Sequence, residues 1–134
     1  MTMEPLSEYA KTRLELAEEM LADALALHKE GRLRSAADRA YYSIFHAAQA
    51  ALASRGLKAP RTHKGLRSQF GEQLISTGML ERDYSRDLTK AFEMRQESTY
   101  EAYGLVAGDE VSDLIGRAER FLKRIKGFVS EKRA

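Results

Sequence analysis

Cysteine is absent from this 134-residue chain, so it can form no disulfide, thiolate nucleophile or cysteine-ligated zinc. The absence agrees with a reducing cytoplasm. No apolar run approaches the roughly 20 residues of a bilayer-spanning helix. The opening MTMEPLSEYAK lacks the basic start and apolar stretch of a secretory signal. The expectation is a cytoplasmic protein that does not enter a membrane. Glycine-rich phosphate loops, dinucleotide fingerprints, zinc-protease helices and nucleophile elbows are all missing. So are the period-two alternation of strands, internal repeats, low-complexity tracts and long linkers. Any chemistry must come from polar side chains gathered inside a helical fold.

What is present is helical periodicity. Leu6, Ala10, Leu14, Ala17, Leu21, Ala24 and His28 recur at spacings of three and four and predict a first helix over 6–30, stopped by Gly31. Leu33, Ala37, Ala40, Tyr41, Ile44, Phe45, Ala48 and Leu52 predict a second helix ending near Arg55-Gly56. LKAPRTHKG reads as a loop broken by Pro60 and Gly65. Leu66, Phe70 and Leu74 mark a short third helix closed around Gly78. A fourth runs from about Glu81 to Tyr103, and GLVAG makes a turn. After Asp109, a plausible N-cap, Val111, Leu114, Ile115, Ala118, Phe121, Leu122 and Ile125 mark a fifth. Four long helices, one short helix and brief loops predict an all-α, antiparallel up-and-down bundle in a single domain over 1–134. The many alanines of the second helix imply close packing and leave open whether a face is buried against a second copy.

Net charge is only +2, but it is unevenly spread. Residues 39–71 carry Arg39, Arg55, Lys58, Arg61, Lys64 and Arg67 and no acid, whereas 1–38 and 72–119 are net acidic. Such blocks can build a basic face suited to phosphates, or a merely solvated surface.

Within the fourth helix, Tyr84, Leu88, Ala91 and Phe92 form an inward stripe whose next position is Arg95. An arginine directed at a core must pair with a carboxylate, snorkel to the bundle end, or serve a ligand. Asp38 on the second helix is one candidate partner, and a guanidinium held there is also a ready fork for phosphate. Asp38, Tyr42, Phe45, His46 and Gln49 lie on adjoining rows of that helix. His46 could act as a base or a phosphate ligand, or simply pack beside tyrosines. His63, between Arg61 and Lys64 before a helix start, suits an anion or a solvated loop. His28 suits the end of its own helix. The three histidines are too far apart for a metal pattern on one helix, so neither metal nor cofactor is expected.

AADRAYYSIFHAAQAAL, then THKGLRSQF, then MRQESTYEAY, taken in order, resemble the HEPN domain, a small helical module often encoded beside a minimal nucleotidyltransferase. The resemblance covers nearly the whole chain. It implies a bundle that usually dimerises. It also implies, in many members, a metal-independent ribonuclease site in which an arginine steadies the phosphate and a histidine a few residues on helps the 2′-hydroxyl attack. Arg95 matches that arginine. Tyr100 occupies the place of the histidine, followed by Glu101 and Ala102, and Thr99 replaces the acid of the non-nuclease pattern. Tyrosine is a poor base at neutral pH. The resemblance thus implies a polar cleft lined by Arg95, Asp38 and Tyr42, with Tyr100 and His46 near its rim. Tyr100 and Tyr103 are the tyrosines that a nucleotidyltransferase could modify.

Three functions follow as expectations. The first is a nucleotide- or RNA-binding regulatory module, partner of a separately encoded nucleotidyltransferase in a toxin–antitoxin-like pair. The second is a ribonuclease toxin using Arg95 with His46 or Tyr100. The third is a purely structural homodimer.

Overall fold

The computed structural model describes residues 6–100 and 108–131, with the backbone alone for 96–100. Five α-helices account for nearly all of the described residues: α1 (Glu8–Lys29), α2 (Leu33–Ser54), α3 (His63–Phe70), α4 (Arg82–Tyr100) and α5 (Gly108–Ser130). There is no strand among them. None of the described helices is long and apolar enough to cross a membrane.

The fold is organised around α2, which packs against α1, α3, α4 and α5. Its composition explains why. Alanines 36, 37, 40, 47, 48, 50 and 51 are buried together with Tyr41, Ile44, Phe45 and Leu52, on every side of the helix. A helix apolar all round belongs at the centre of a bundle. α1 meets it along a seam of Ala10, Ala17 and Ala24, spaced seven apart and all inaccessible to solvent. With methyl groups on both sides, the backbones approach closely enough for Ser43 Oγ to donate to the Ala17 carbonyl at 2.8 Å. The α5 face of Val111, Leu114, Ala118, Phe121, Ile125 and Phe128 closes the other side. There Phe121 stacks on Phe70 with centroids 5.6 Å apart.

The helix ends follow local chemistry. Ser7 caps α1 by accepting from the Ala10 amide. Gly31 and Gly56 close α1 and α2 with φ of 77° and 71°, values that only glycine adopts without strain. At the end of α2, Arg55 donates to the Phe128 carbonyl at 3.1 Å and lies over the Phe128 ring, tying α2 to α5. The predicted third helix has an added feature. Its α-helical part ends at Phe70, and a π-turn over Gly71–Ile75 carries the chain on to Gly78. Gly71 thus lies inside the helical path. Asp109 lies in the first turn of α5, which begins at Gly108. Tyr103 and the predicted GLVAG turn, up to residue 107, lie outside the described residues.

Candidate functional site

The start of α3 places the site's second wall. Thr62 Oγ1 accepts from the Gly65 amide at 3.0 Å and caps the helix. Gly65 must be glycine for a packing reason: a Cβ there would lie 2.6 Å from Thr62 Oγ1 and 3.0 Å from Pro60 Cβ. The compact cap lays the first turn of α3 against α2 and α4, with His63 as its first residue.

Arg95 lies where its stripe predicts. Leu88, Ala91 and Met94 are buried, and the Arg95 side chain is 22 % exposed. Its Nε donates to Asp38 Oδ1 and a terminal nitrogen donates to the Tyr42 hydroxyl, both at 3.3 Å. The guanidinium lies 5.5 and 5.3 Å from the Tyr41 and Tyr42 ring centres. Asp38, Tyr41 and Tyr42 occupy neighbouring rows of α2, as i, i+3 and i+4 residues must. Asp38 is 41 % exposed, so the ion pair itself stabilises the fold by no more than about 1 kcal/mol.

His63 enters the same cluster from α3. Its Nδ1 is hydrogen-bonded to the Tyr41 hydroxyl. Its ring packs on those of Tyr41, Phe45 and Phe92, with centroids 5.2, 5.3 and 5.7 Å away. Tyr41 is 1 % exposed. Burial pushes its phenol far above the ordinary range, although Arg95 and Arg67 both pull it down. The hydroxyl therefore keeps its proton, and donating it to His63 Nδ1 leaves no buried donor unpaired. Burial, and then the Arg95 charge, hold the His63 pKa below its ordinary value, with Asp38 opposing. With Nδ1 accepting from Tyr41, an uncharged His63 carries its hydrogen on Nε2, a donor rather than a base.

Arg67, one turn beyond His63 on the same face of α3, lies 4.8 Å from the centre of the Phe92 ring. Its Nε is buried with no hydrogen-bond partner among the described residues. Sequence reasoning set Arg67 only within the acid-free run and left Tyr41 and His63 out of the cleft. The one available signal was the i, i+4 spacing of His63 and Arg67.

His46 sits in a different polar network. Its ring packs 6.0 Å from that of Tyr42, but its Nδ1 faces an Arg13 terminal nitrogen and Gln49 Oε1, each at 3.4 Å. Gln49 in turn donates to the Pro60 carbonyl at 3.3 Å. Burial and Arg13 lower the His46 pKa, against the Gln49 hydrogen bond. The network links α1, α2 and the loop before α3. Tyr100 is the last residue of α4, and its side chain, like Tyr103, lies outside the described residues. No group of three or more histidine, aspartate or glutamate side chains among the described residues could hold a metal.

Two comparisons bear on this arrangement. The HEPN domain family model matches residues 10–128. A protein of Methanocaldococcus jannaschii named as a candidate toxin is 34 % identical over 126 residues, 94 % of this chain and 92 % of the relative. A UPF0332 protein of Thermotoga maritima is 33 % identical over 128 residues, 96 % of this chain and 94 % of the relative. Another UPF0332 protein, from Pyrococcus horikoshii, is 40 % identical over 82 residues, 61 % of this chain and 57 % of the relative. With the all-α bundle and a family match spanning α1 to α5, the chain belongs to the HEPN domain family.

Proposed function

We propose that the protein is a HEPN regulatory module that binds RNA or nucleotide through a phosphate at the Arg95 cleft, without catalysis of its own. In this reading it works in the cytoplasm as a homodimer and as one half of a toxin–antitoxin-like pair whose other half is a separately encoded minimal nucleotidyltransferase. The carrying observation is the Arg95 guanidinium, held against Asp38 and Tyr42 within a half-buried aromatic bed. A planar cation positioned in this way is a phosphate fork. The Tyr41-bonded His63 supports binding over chemistry, because its tautomer leaves a donor on Nε2 where a ribonuclease needs a base. The name of the M. jannaschii relative supports a toxin–antitoxin setting.

The test is binding of a single-stranded RNA oligonucleotide in EDTA, followed by fluorescence anisotropy. Arg95→Ala is expected to weaken binding at least roughly tenfold, the effect of losing one charge-assisted phosphate contact. Unchanged affinity would exclude the cleft as the binding site. The relatives' naming as candidate toxins favours a second reading, a metal-independent ribonuclease. Incubation with transfer and messenger RNA in EDTA separates the two. Cleavage by the wild type that disappears in Arg95→Ala would establish the enzyme, and intact RNA in both would exclude it and leave the anisotropy result to decide on binding.

A further inference from the structure

Arg67 presents an electrostatic problem. It is a half-buried arginine on α3 that forms no ion pair with any described carboxylate. Its Nε is buried without a hydrogen-bond partner among the described residues. Isolated guanidinium groups are not normally left in such surroundings, because an uncompensated charge loses hydration and gains nothing. The Asp38 carboxylate does not serve it, since Asp38 meets Arg95. What Arg67 has is a ring: Phe92 lies beneath it and is shared with His63. His63, which shares Phe92 with Arg67, is hydrogen-bonded to Tyr41, and the Arg95 guanidinium lies 5.5 Å from the Tyr41 ring centre.

We infer that Arg67 is a second phosphate ligand of this site, and that Arg67, Arg95 and the His63 Nε2 hydrogen together select the singly charged phosphodiester of an RNA chain over a terminal phosphate. This rests on the proposed binding role of Arg95 and adds to it the ligand's charge class. With Arg95 and Asp38 counted as a neutral pair and His63 uncharged, Arg67 contributes one positive charge. One internal phosphodiester carries one negative charge, whereas a terminal phosphate carries close to two at neutral pH. A monoester would leave about one negative charge unmatched in a half-buried aromatic site beside the Asp38 carboxylate, which disfavours it. The three donor groups come from α3 and α4: Arg95 lies near the Tyr41 and Tyr42 rings, and Arg67 and His63 share the Phe92 ring.

The experiment displaces a labelled single-stranded RNA with hydroxyl ends from the full chain, using two competitors at one pH near 7.5. One is the dinucleoside monophosphate ApA, with a single diester and no terminal phosphate. The other is adenosine 5′-monophosphate. In the wild type, ApA is expected to compete at least roughly fivefold better. Arg67→Ala is expected to weaken RNA binding about tenfold and to lower the salt dependence of binding by close to one phosphate contact. Arg67→Gln keeps the stem over Phe92 and two hydrogen-bonding groups, so it tests the charge alone should the alanine variant fail to fold. Equal or better competition by the monophosphate overturns the charge match without any variant. Arg95→Ala weakening while Arg67→Ala and Arg67→Gln bind as wild type would overturn the role of Arg67 and leave the Arg95 reading intact. Wild-type binding in all three variants would overturn both.

Discussion

Two of the molecule's arginine clusters are assembled from the same kinds of residue but balanced differently. Between α4 and α5, the buried Asp87 meets Arg117 at 2.8 Å, Arg117 meets Asp113 at 2.8 Å, and Arg120 stands 4.0 Å from Asp87. Two carboxylates balance two guanidinium groups. Burial raises the Asp87 pKa, and Arg117 and Arg120 oppose the rise. Across α2, α3 and α4, Arg95 reaches Asp38 at the longer distance of 3.3 Å, and Arg67 rests on a ring. There one carboxylate stands among two guanidinium groups and a histidine. A balanced cluster closes on itself and fastens helices together. In the proposed function, the cation to spare in the second cluster is what matches an anion from outside.

The contrast is breakable by mutation. The largest loss of stability is expected from Asp87→Ala, which leaves Arg117 short of a partner in a half-buried site and costs about 2 kcal/mol. Urea unfolding should show that loss while RNA affinity stays at the wild-type level. An affinity loss there would merge the two clusters into one functional unit. Next comes Gly65→Ala, where the added methyl displaces Thr62 or Pro60 and should cost about 1 kcal/mol through the weakened cap. Unlike Asp87→Ala, it should also reduce RNA binding, because the cap positions both His63 and Arg67. Arg95→Ala should move stability by less than about 1 kcal/mol, since Asp38 is more than a third exposed. Its large effect belongs to binding, the inverse of the Asp87 result.

The smallest effect is that of pH. The folded-state pKa values of His63 and His46 both lie below the unfolded value, which is near 6.5. The unfolded chain therefore takes up protons first on acidification. This contribution to stability is whole above about pH 6.5 and is lost as pH falls through the folded values. Thermal unfolding at pH 7.5 and 5.5 should show a decline that His63→Gln reduces in part. A rise in stability on acidification would mean that the Asp38 charge governs His63 instead.

The two clusters also differ in how far the sequence discloses them. Arg95 is legible because it interrupts an apolar stripe, and Asp38 and Tyr42 because they lie on the face of α2 that such a residue must meet. The helices are legible from periodicity, and the ends of α1 and α2 from Gly31 and Gly56. His63, Tyr41 and Arg67 are not, because what unites them is a fold-back of α3 governed by a cap and a missing Cβ at Gly65. Such a contact spans 22 residues between Tyr41 and His63 and leaves no periodic trace. His46 looks equivalent to His63 in composition, and only the placement of Arg13 and Gln49 distinguishes them. Asp87 is hidden for the same reason: a buried acid and an exposed one read alike until the facing helix is known. The π-turn after Phe70 is hidden too, since Gly71 looks like a stop.

α2 is at once the spine of the bundle and the helix that carries Asp38, Tyr41 and Tyr42, the residues of the proposed site. Phe45 and Tyr41 are buried and also pack on His63, and buried alanines fill most of the rest of the helix. Drift in ligand preference among descendants of this chain therefore has little freedom along α2, where nearly every change would be judged first on folding. The adjustable wall is α3, a short helix with two buried side chains, Leu66 and Phe70. If the proposed site binds a ligand, divergence in that preference should accumulate there, around positions 63, 64 and 67, long before it reaches the tyrosines.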